Sequence, residues 1–122
     1  MRTRVGTFRF SVEIQDARGE RSEQLGPRVD TGALYSQFPA RMLEELGYGS
    51  NATRSFRLAD GRVVEWPIGD IVMRVGDEVR TTTCIFGQEG SELLLGAVTL
   101  EQFGLAPDPV NETLVPVEAM LL

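Results

Sequence analysis

The chain contains no histidine and only one cysteine among its 122 residues. Without histidine there is no His-based metal site, no Ser-His-Asp triad and no Cys-His pair. The single Cys84 excludes an internal disulfide and a CxxC site. Because Cys84 lies in a strand-like run, we expect a buried thiol that packs as a small apolar side chain rather than a reactive nucleophile.

Clusters of positive charge and long apolar runs are also missing. All twelve basic residues are arginines, they are scattered, and the net charge is −6, which argues against a nucleic-acid partner. Residues 1–14 alternate instead of forming an apolar block, so they do not resemble a signal peptide, and no stretch is suited to span a membrane. We therefore expect no nucleic acid, no membrane association and, by default, a cytoplasmic location.

Length and composition indicate a single domain over residues 1–122 with an ordinary globular core. The chain is 42% hydrophobic and 25% charged, which is typical of globular proteins. Thirteen glycines and six prolines indicate many turns and favour β structure over a helical bundle. We expect an all-β domain with two short helices.

Residue periodicity places the elements. Phe8, Phe10, Val12 and Ile14 alternate with polar residues, which predicts a half-buried strand. Further strands are predicted at about 20–29 (interrupted by Gly26-Pro27), 56–64, 68–75, 79–86, 93–96 and 113–117. Residues 39–46 and 97–103 are predicted helices, each followed by glycine, and residues 50–53 and 107–109 are predicted loop and turn. The strand pair within 56–64 turns at Asp60-Gly61, a preferred pair for tight hairpins.

The triplet Asp30-Thr31-Gly32 offers one candidate catalytic carboxylate and occurs once in the chain. Peptide hydrolysis by paired aspartates needs two carboxyl groups that share one proton, because two like charges that close cannot both ionise. A single copy therefore implies either two identical chains that meet at Asp30 or no such chemistry. The alternative is an ordinary turn, since all three residue types are common in turns.

The order of the parts resembles the retropepsin-like aspartic proteases, and more closely their free-standing bacterial and archaeal single-domain members. The most specific segments are residues 29–33, Val-Asp-Thr-Gly-Ala, and residues 94–97, Leu-Leu-Gly-Ala, which runs into a helix. The resemblance covers about residues 8–117. It implies a retropepsin-like acid protease barrel with two short helices that forms a C2 homodimer.

The resemblance also implies an aspartic endopeptidase that cleaves a peptide or protein substrate without a metal or cofactor. Asp30 of each subunit would supply one carboxylate, Thr31 would bind across the twofold axis, and Gly32 would let the substrate backbone approach. The substrate-binding residues would be Ala33 and, in a flap over residues 58–64, Leu58, Ala59, Asp60, Gly61 and Arg62. Leu94, Leu95 and Gly96 would pack beneath the catalytic loop.

Arg28 departs from the family pattern, because relatives usually carry an apolar residue two positions before the aspartate. A guanidinium there would favour the doubly ionised pair and weaken the shared proton. Alternatively, Arg28 turns to solvent or pairs with a glutamate. The polar flap tip, with Asp60 and Arg62, is either a stiffer lid or an ordinary surface hairpin.

Some positions and functions stay open at this point. Trp66 is expected in the core, at the base of the flap or at the substrate, and Tyr35 and Phe38 at the cleft edge or in the core. The candidate subunit contacts are residues 4–10 and 113–122. Two other functions remain: a catalytically weak or inactive dimeric module that binds peptides, and an unrelated monomeric barrel that binds a small ligand or oligosaccharide.

Overall fold

A computed structural model describes residues 7–118 of the chain. Strands account for 48% of these residues and helices for 12%, which confirms the all-β class with two helices. The helices contain six and seven residues, whereas about 20 are needed to cross a bilayer. Within residues 7–118, no helix is therefore long enough to span a membrane.

Ten strands and two helices follow one another along residues 7–118. The strands are β1 (Val12–Gln15), β2 (Ser22–Leu25), β3 (Arg28–Val29), β4 (Ser36–Pro39), β5 (Ala52–Arg57), β6 (Val63–Val75), β7 (Glu78–Gly87), β8 (Leu94–Leu95), β9 (Leu105–Asp108) and β10 (Thr113–Pro116). The helices are α1 (Ala40–Glu45), between β4 and β5, and α2 (Ala97–Phe103), between β8 and β9.

Eight strands form one curled sheet, in the order β2-β1-β6-β7-β4-β8-β3, with β5 paired to β6 outside this path. Strands β9 and β10 form a separate antiparallel pair. Strand β8 is parallel to β3 and antiparallel to β4. It therefore lies between two strands that are consecutive along the chain, an arrangement that determines where their connecting loop runs.

The alternation predicted for the first strand is confirmed, because Phe8, Val12 and Ile14 are buried. Regular pairing begins only at Val12, however. Before it, the backbone contacts the β3 region: the Val29 N–H donates to the Phe8 carbonyl at 2.7 Å. The chain thus changes its pairing partner from β3 to β2 and β6, which divides the expected strand.

The interruption predicted at Gly26-Pro27 is confirmed: it divides the expected strand over residues 20–29 into β2 and β3, and Pro27 has no N–H to donate to a ladder. Other boundaries differ from the prediction. Pro39 ends β4 and caps α1 instead of starting the helix. The predicted loop over residues 50–53 overlaps β5, whose exposed side chains show no apolar alternation. The predicted turn at 107–109 begins later, because Pro107 belongs to β9.

The core lies between the curled sheet and the two helices. Its largest fully buried side chains include Ile14, Phe38, Leu43, Ile71, Met73 and Leu95. Cys84 is also fully buried in this core, as expected. Burial raises the pKa of the Cys84 thiol to about 12, so the thiol is protonated near neutral pH and is not a nucleophile.

Strand β6 is thirteen residues long, and its two ends belong to different parts of the fold. Residues 63–67 pair only with β5, while the ladder to β7 starts at Ile68. Pro67 immediately precedes that start and has no N–H for a further rung. The β5–β6 hairpin therefore projects from the sheet as a two-stranded arm.

The same edge of β6 receives two strands, β5 as far as Ile68 and β1 from Val72. In the gap between these two strands, Tyr48 links β1 to β6. Its hydroxyl accepts a hydrogen bond from the Val72 N–H at 3.1 Å and donates one to the Gln15 carbonyl. Burial raises the pKa of Tyr48 above its ordinary value of 10.0.

The candidate subunit contacts at residues 4–10 and 113–122 lie partly outside the described residues, which end at 118. Within the described part, the β9–β10 pair buries Leu114 and exposes Val115 and Val117. The Val117 N–H donates to the Gly104 carbonyl at 2.9 Å, which ties the end of this pair to the end of α2.

At Gly96, the backbone that follows β8 passes very close to the backbone at the start of β4. A Cβ atom placed there would lie 2.5 Å from the Tyr35 carbonyl carbon and 2.8 Å from the Ser36 nitrogen. These are main-chain atoms and cannot rotate away. The close approach of backbone that was expected at Gly96 is therefore present.

Gly96→Ala should lower the free energy of unfolding by at least about 2 kcal/mol, because the added methyl group forces the two backbone segments apart. Chemical denaturation would measure the change. The matched control is Gly26→Ala, since a Cβ at Gly26 would meet no atom within 4 Å. Equal effects of the two substitutions would contradict the role assigned to Gly96.

Candidate active site

The Asp30 loop connects β3 to β4 and crosses the end of β8, which lies between them. The backbone fixes the loop on both sides of this crossing. The Asp30 N–H donates to the Leu95 carbonyl at 3.0 Å, and the Ala97 N–H donates to the Ala33 carbonyl at 2.8 Å. The start of the loop is thus held by β8 and its end by the first turn of α2.

The Asp30 carboxylate is oriented within this loop and remains accessible to water. Its Oδ1 accepts the Gly32 N–H at 2.9 Å, and the Asp30 carbonyl accepts the Ala33 N–H at 3.1 Å. The side chain is 28% exposed. Its Oδ2 lies 3.5 Å from Nη2 of Arg28, close enough for an ion pair.

Arg28 is mostly buried, with a side chain 13% exposed, and it also pairs with Glu92. Its Nη2 donates to Glu92 Oε2 at 3.1 Å. Its Nε lies 3.0 Å from Glu92 Oε1, but it makes no hydrogen bond, so this second contact is only electrostatic. Of the two alternatives predicted for its side chain, Arg28 therefore pairs with a glutamate and does not turn to solvent. It also lies close to Asp30.

A chain of buried hydroxyl groups supports the loop from beneath. The Gly96 N–H donates to Ser36 Oγ at 3.0 Å. Ser36 Oγ lies 2.6 Å from Thr99 Oγ1, and Thr99 Oγ1 lies 2.8 Å from Thr82 Oγ1. All three hydroxyl residues are at most 1% exposed. The chain of hydrogen bonds therefore ties β4, α2 and β7 together below Asp30.

A cleft of about 410 Å³ lies between the Asp30 loop and the β5–β6 hairpin. Most of its lining residues are apolar or aromatic. They are Gly32, Ala33, Leu34, Tyr35, Gln37, Phe56, Arg57, Leu58, Trp66, Ile85, Glu92 and Leu94. The volume lies within the range of ordinary ligand pockets, about 300–1,000 Å³.

Aromatic side chains connect the hairpin to the loop across this cleft. The ring of Tyr35 meets that of Phe56 edge-on, with centroids 6.0 Å apart, and Phe56 lies 5.6 Å from Trp66. The Arg54 guanidinium lies 5.3 Å from the Tyr35 ring centroid and also donates to its hydroxyl. Trp66 thus packs at the base of the hairpin and lines the cleft, whereas Phe38 belongs to the core.

The hairpin tip is a three-residue loop rather than a two-residue turn. The Gly61 N–H donates to the Leu58 carbonyl at 2.9 Å, and Gly61 has a positive φ of 90°. Glycine adopts this conformation without strain. Asp60 accepts the Arg62 N–H at 3.0 Å and pairs with its guanidinium at 2.8 Å, and these contacts hold the pKa of Asp60 below its usual value.

The structure brings some of the expected site residues to one place. Gly32, Ala33 and Leu58 line the cleft. Asp30 and Thr31 precede Gly32 in the same loop, with Thr31 exposed. The remaining flap residues form the exposed hairpin tip and are not among those that line the cleft: Ala59, Asp60, Gly61 and Arg62.

Several residues of the site were not identified from the sequence. Nothing in its local sequence distinguishes Glu92, and Ser36, Thr82 and Thr99 look like ordinary strand and helix residues. They meet through contacts between distant segments: β8 lies beside both β3 and β4, and α2 packs against β4 and β7. Within residues 7–118, no group of three or more acidic or cysteine side chains has an arrangement that could hold a metal.

No protein-family model matches the chain, and no curated protein matches it closely. The chemistry of the site is therefore inferred from its geometry.

Thr99→Val should lower the free energy of unfolding by about 1–3 kcal/mol, because Ser36 and Thr82 would each lose a buried hydrogen-bond partner while the volume stays similar. Urea denaturation would measure the loss. Thr81→Val is the matched control, since Thr81 is exposed on the same strand as Thr82 and should change stability by no more than about 0.5 kcal/mol. A loss at Thr99 no larger than at Thr81 would refute the supporting role.

Proposed function

We propose that the protein is an aspartic endopeptidase of the retropepsin type, active as a C2 homodimer in which each subunit contributes Asp30. The observation that carries this proposal is a partly exposed carboxylate held by backbone hydrogen bonds in a loop that lines an apolar cleft. An acid or base that must meet a substrate needs this combination of fixed orientation and access.

The position of β8 gives further support. An aspartate in an unsupported turn would sample many orientations, but the start of the Asp30 loop is bound to β8 and its end to α2. Through Gly96 the same region is tied to three buried hydroxyl groups that hydrogen-bond to one another. Catalysis depends on groups that are positioned before the substrate arrives.

The second carboxylate comes from a second copy of the chain. In a twofold assembly, a residue near the axis faces its own copy, so one Asp30 is automatically paired with another. Thr31 and Leu34 are exposed in the same loop, with Leu34 48% exposed, which makes the loop surface suitable for contact with a partner or substrate.

The paired carboxyl groups share one proton and divide the chemistry between them. The ionised member takes a proton from a bound water, which attacks the peptide carbonyl. The protonated member donates a hydrogen bond to that carbonyl oxygen and later protonates the leaving amine. The substrate lies in the apolar cleft, and the β5–β6 hairpin closes over it and excludes water.

Asp30→Asn should abolish peptide cleavage, because an amide can neither accept the proton from water nor share one with its partner. Cleavage of a peptide mixture, followed by mass spectrometry, would measure the loss. The fold and the dimer should persist, as judged by circular dichroism and sedimentation. Asp77→Asn is the matched control, since Asp77 is an exposed residue of the β6–β7 turn and should not alter the rate.

Residual hydrolysis by Asp30→Asn at the wild-type rate would eliminate the mechanism. A purely monomeric wild-type protein that cleaves peptides would eliminate the shared site.

The second candidate is a dimeric module that binds peptides but turns them over weakly or not at all. The contact of 3.5 Å between Arg28 and Asp30 favours it, because a positive charge beside the pair stabilises the doubly ionised form. Such a pair would retain the cleft and the affinity for peptides while losing the proton needed for hydrolysis.

A peptide library screened at acidic and neutral pH, with and without a transition-state mimic such as pepstatin, separates the two functions. We expect cleavage at acidic pH that the inhibitor suppresses, since acid supplies the shared proton. Binding of peptides and inhibitor with no cleavage at either pH would favour the binding module instead.

A further inference from the structure

Two arginines stand side by side next to the candidate catalytic loop. Arg9 forms an antiparallel bridge with Arg28, so the two residues lie directly opposite each other. Like charges in such a position repel. Glu92 lies within ion-pair distance of both, with Oε1 4.0 Å from Nη2 of Arg9 and 3.0 Å from Nε of Arg28. The Glu92 carboxylate therefore lies close enough to pair with both guanidinium groups.

The same nitrogen of Arg28 faces two carboxylates. Its Nη2 is 3.1 Å from Glu92 Oε2, where it makes a hydrogen bond, and 3.5 Å from Asp30 Oδ2, where it makes none. Glu92 thus holds the guanidinium in the position where its contact with Asp30 is only electrostatic. Asp30 Oδ1 remains bound to the Gly32 N–H, so the loop keeps its geometry.

We propose that Glu92 is a positioning residue that offsets the charge of Arg28 and limits its contact with Asp30, and so sets the pH range in which the Asp30 pair holds its shared proton. This rests on the proposed protease function and deepens it. Glu92 acts through Arg28 and does not itself exchange protons with the substrate.

The charged groups around this site come from four segments. Arg9 precedes β1, Arg28 and Asp30 lie on and after β3, and Glu92 precedes β8. Arg57 lines the same cleft from the hairpin and donates to the Gly61 carbonyl at 3.1 Å. Of these groups, Arg57 and Glu92 line the cleft itself. Asp30 and Glu92 are the two carboxylates within ion-pair distance of Arg28 among the described residues, so removal of the Glu92 charge leaves Asp30 alone to oppose it.

The direction of the effect follows from these signs. Loss of the Glu92 charge makes the surroundings of Asp30 more positive, which favours ionised carboxylates. The pair then loses its shared proton at lower pH, so the alkaline limb of the activity profile moves to lower pH. Loss of the Arg28 charge moves the same limb to higher pH.

Glu92→Gln keeps the size of the side chain and removes its charge. We expect it to shift the alkaline limb of kcat/KM by about half to one pH unit toward acid. The assay uses a peptide that the wild-type dimer cleaves, measured at constant ionic strength. Glu89→Gln is the matched control in the preceding turn, because Glu89 is 84% exposed and pairs with Arg41 instead.

A second pair of variants keeps the test decisive if Glu92→Gln folds poorly. Arg28→Leu should shift the limb about one unit toward alkaline pH. Arg28→Leu combined with Glu92→Leu should lie close to the wild-type profile, because both charges are gone. If the substitutions merely loosened the structure, kcat/KM would fall at every pH. The alkaline limb would then not shift toward acid in one variant and toward alkaline pH in the other.

The outcomes separate this inference from the function on which it rests. If Asp30→Asn abolishes cleavage and Glu92→Gln and Arg28→Leu shift the profile in opposite directions, the inference is supported. If Asp30→Asn abolishes cleavage but the profiles of the folded variants coincide with that of the wild type, the inference is overturned and the protease remains. If the wild type shows no Asp30-dependent cleavage, both are overturned.

Discussion

The site depends on the contact between two backbone segments at Gly96. Strand β8 lies between β3 and β4, and the chain after it passes so close to Tyr35 and Ser36 that no side chain fits. This contact brings the Leu95 carbonyl to the Asp30 N–H and the Ala97 N–H to the Ala33 carbonyl. The orientation of the candidate catalytic carboxylate is thus a consequence of strand order.

The two sides of the loop differ in their physical character. Beneath it, Ser36, Thr82 and Thr99 are neutral, buried and bonded to one another, so they add rigidity without charge. Beside it, the guanidinium of Arg28 pairs with the carboxylate of Glu92, and both side chains are partly open to water. The position of the Asp30 loop and its electrostatic environment are therefore determined by separate sets of residues. The charged residues can vary while the hydroxyl groups that hold the loop are preserved.

The sequence predicted local features better than contacts between distant segments. Alternation from Phe8 to Ile14, both helices and the buried Cys84 were predicted because their signals lie within a few residues. Strand β5 was partly missed, since its exposed residues show no pattern and it forms only by pairing with β6. Glu92 was missed because it meets Arg28 across 64 positions of sequence, which no local pattern reveals.

At the junction of β1, β5 and β6, the Tyr48 hydroxyl bridges two main-chain groups that do not bond to each other directly, the Gln15 carbonyl and the Val72 N–H. Because its burial raises its pKa above 10.0, the phenol stays neutral throughout acidic and neutral solution. The hydrogen bonds that this hydroxyl makes to β1 and β6 therefore persist unchanged from acidic to neutral pH, and acidification does not open this part of the framework.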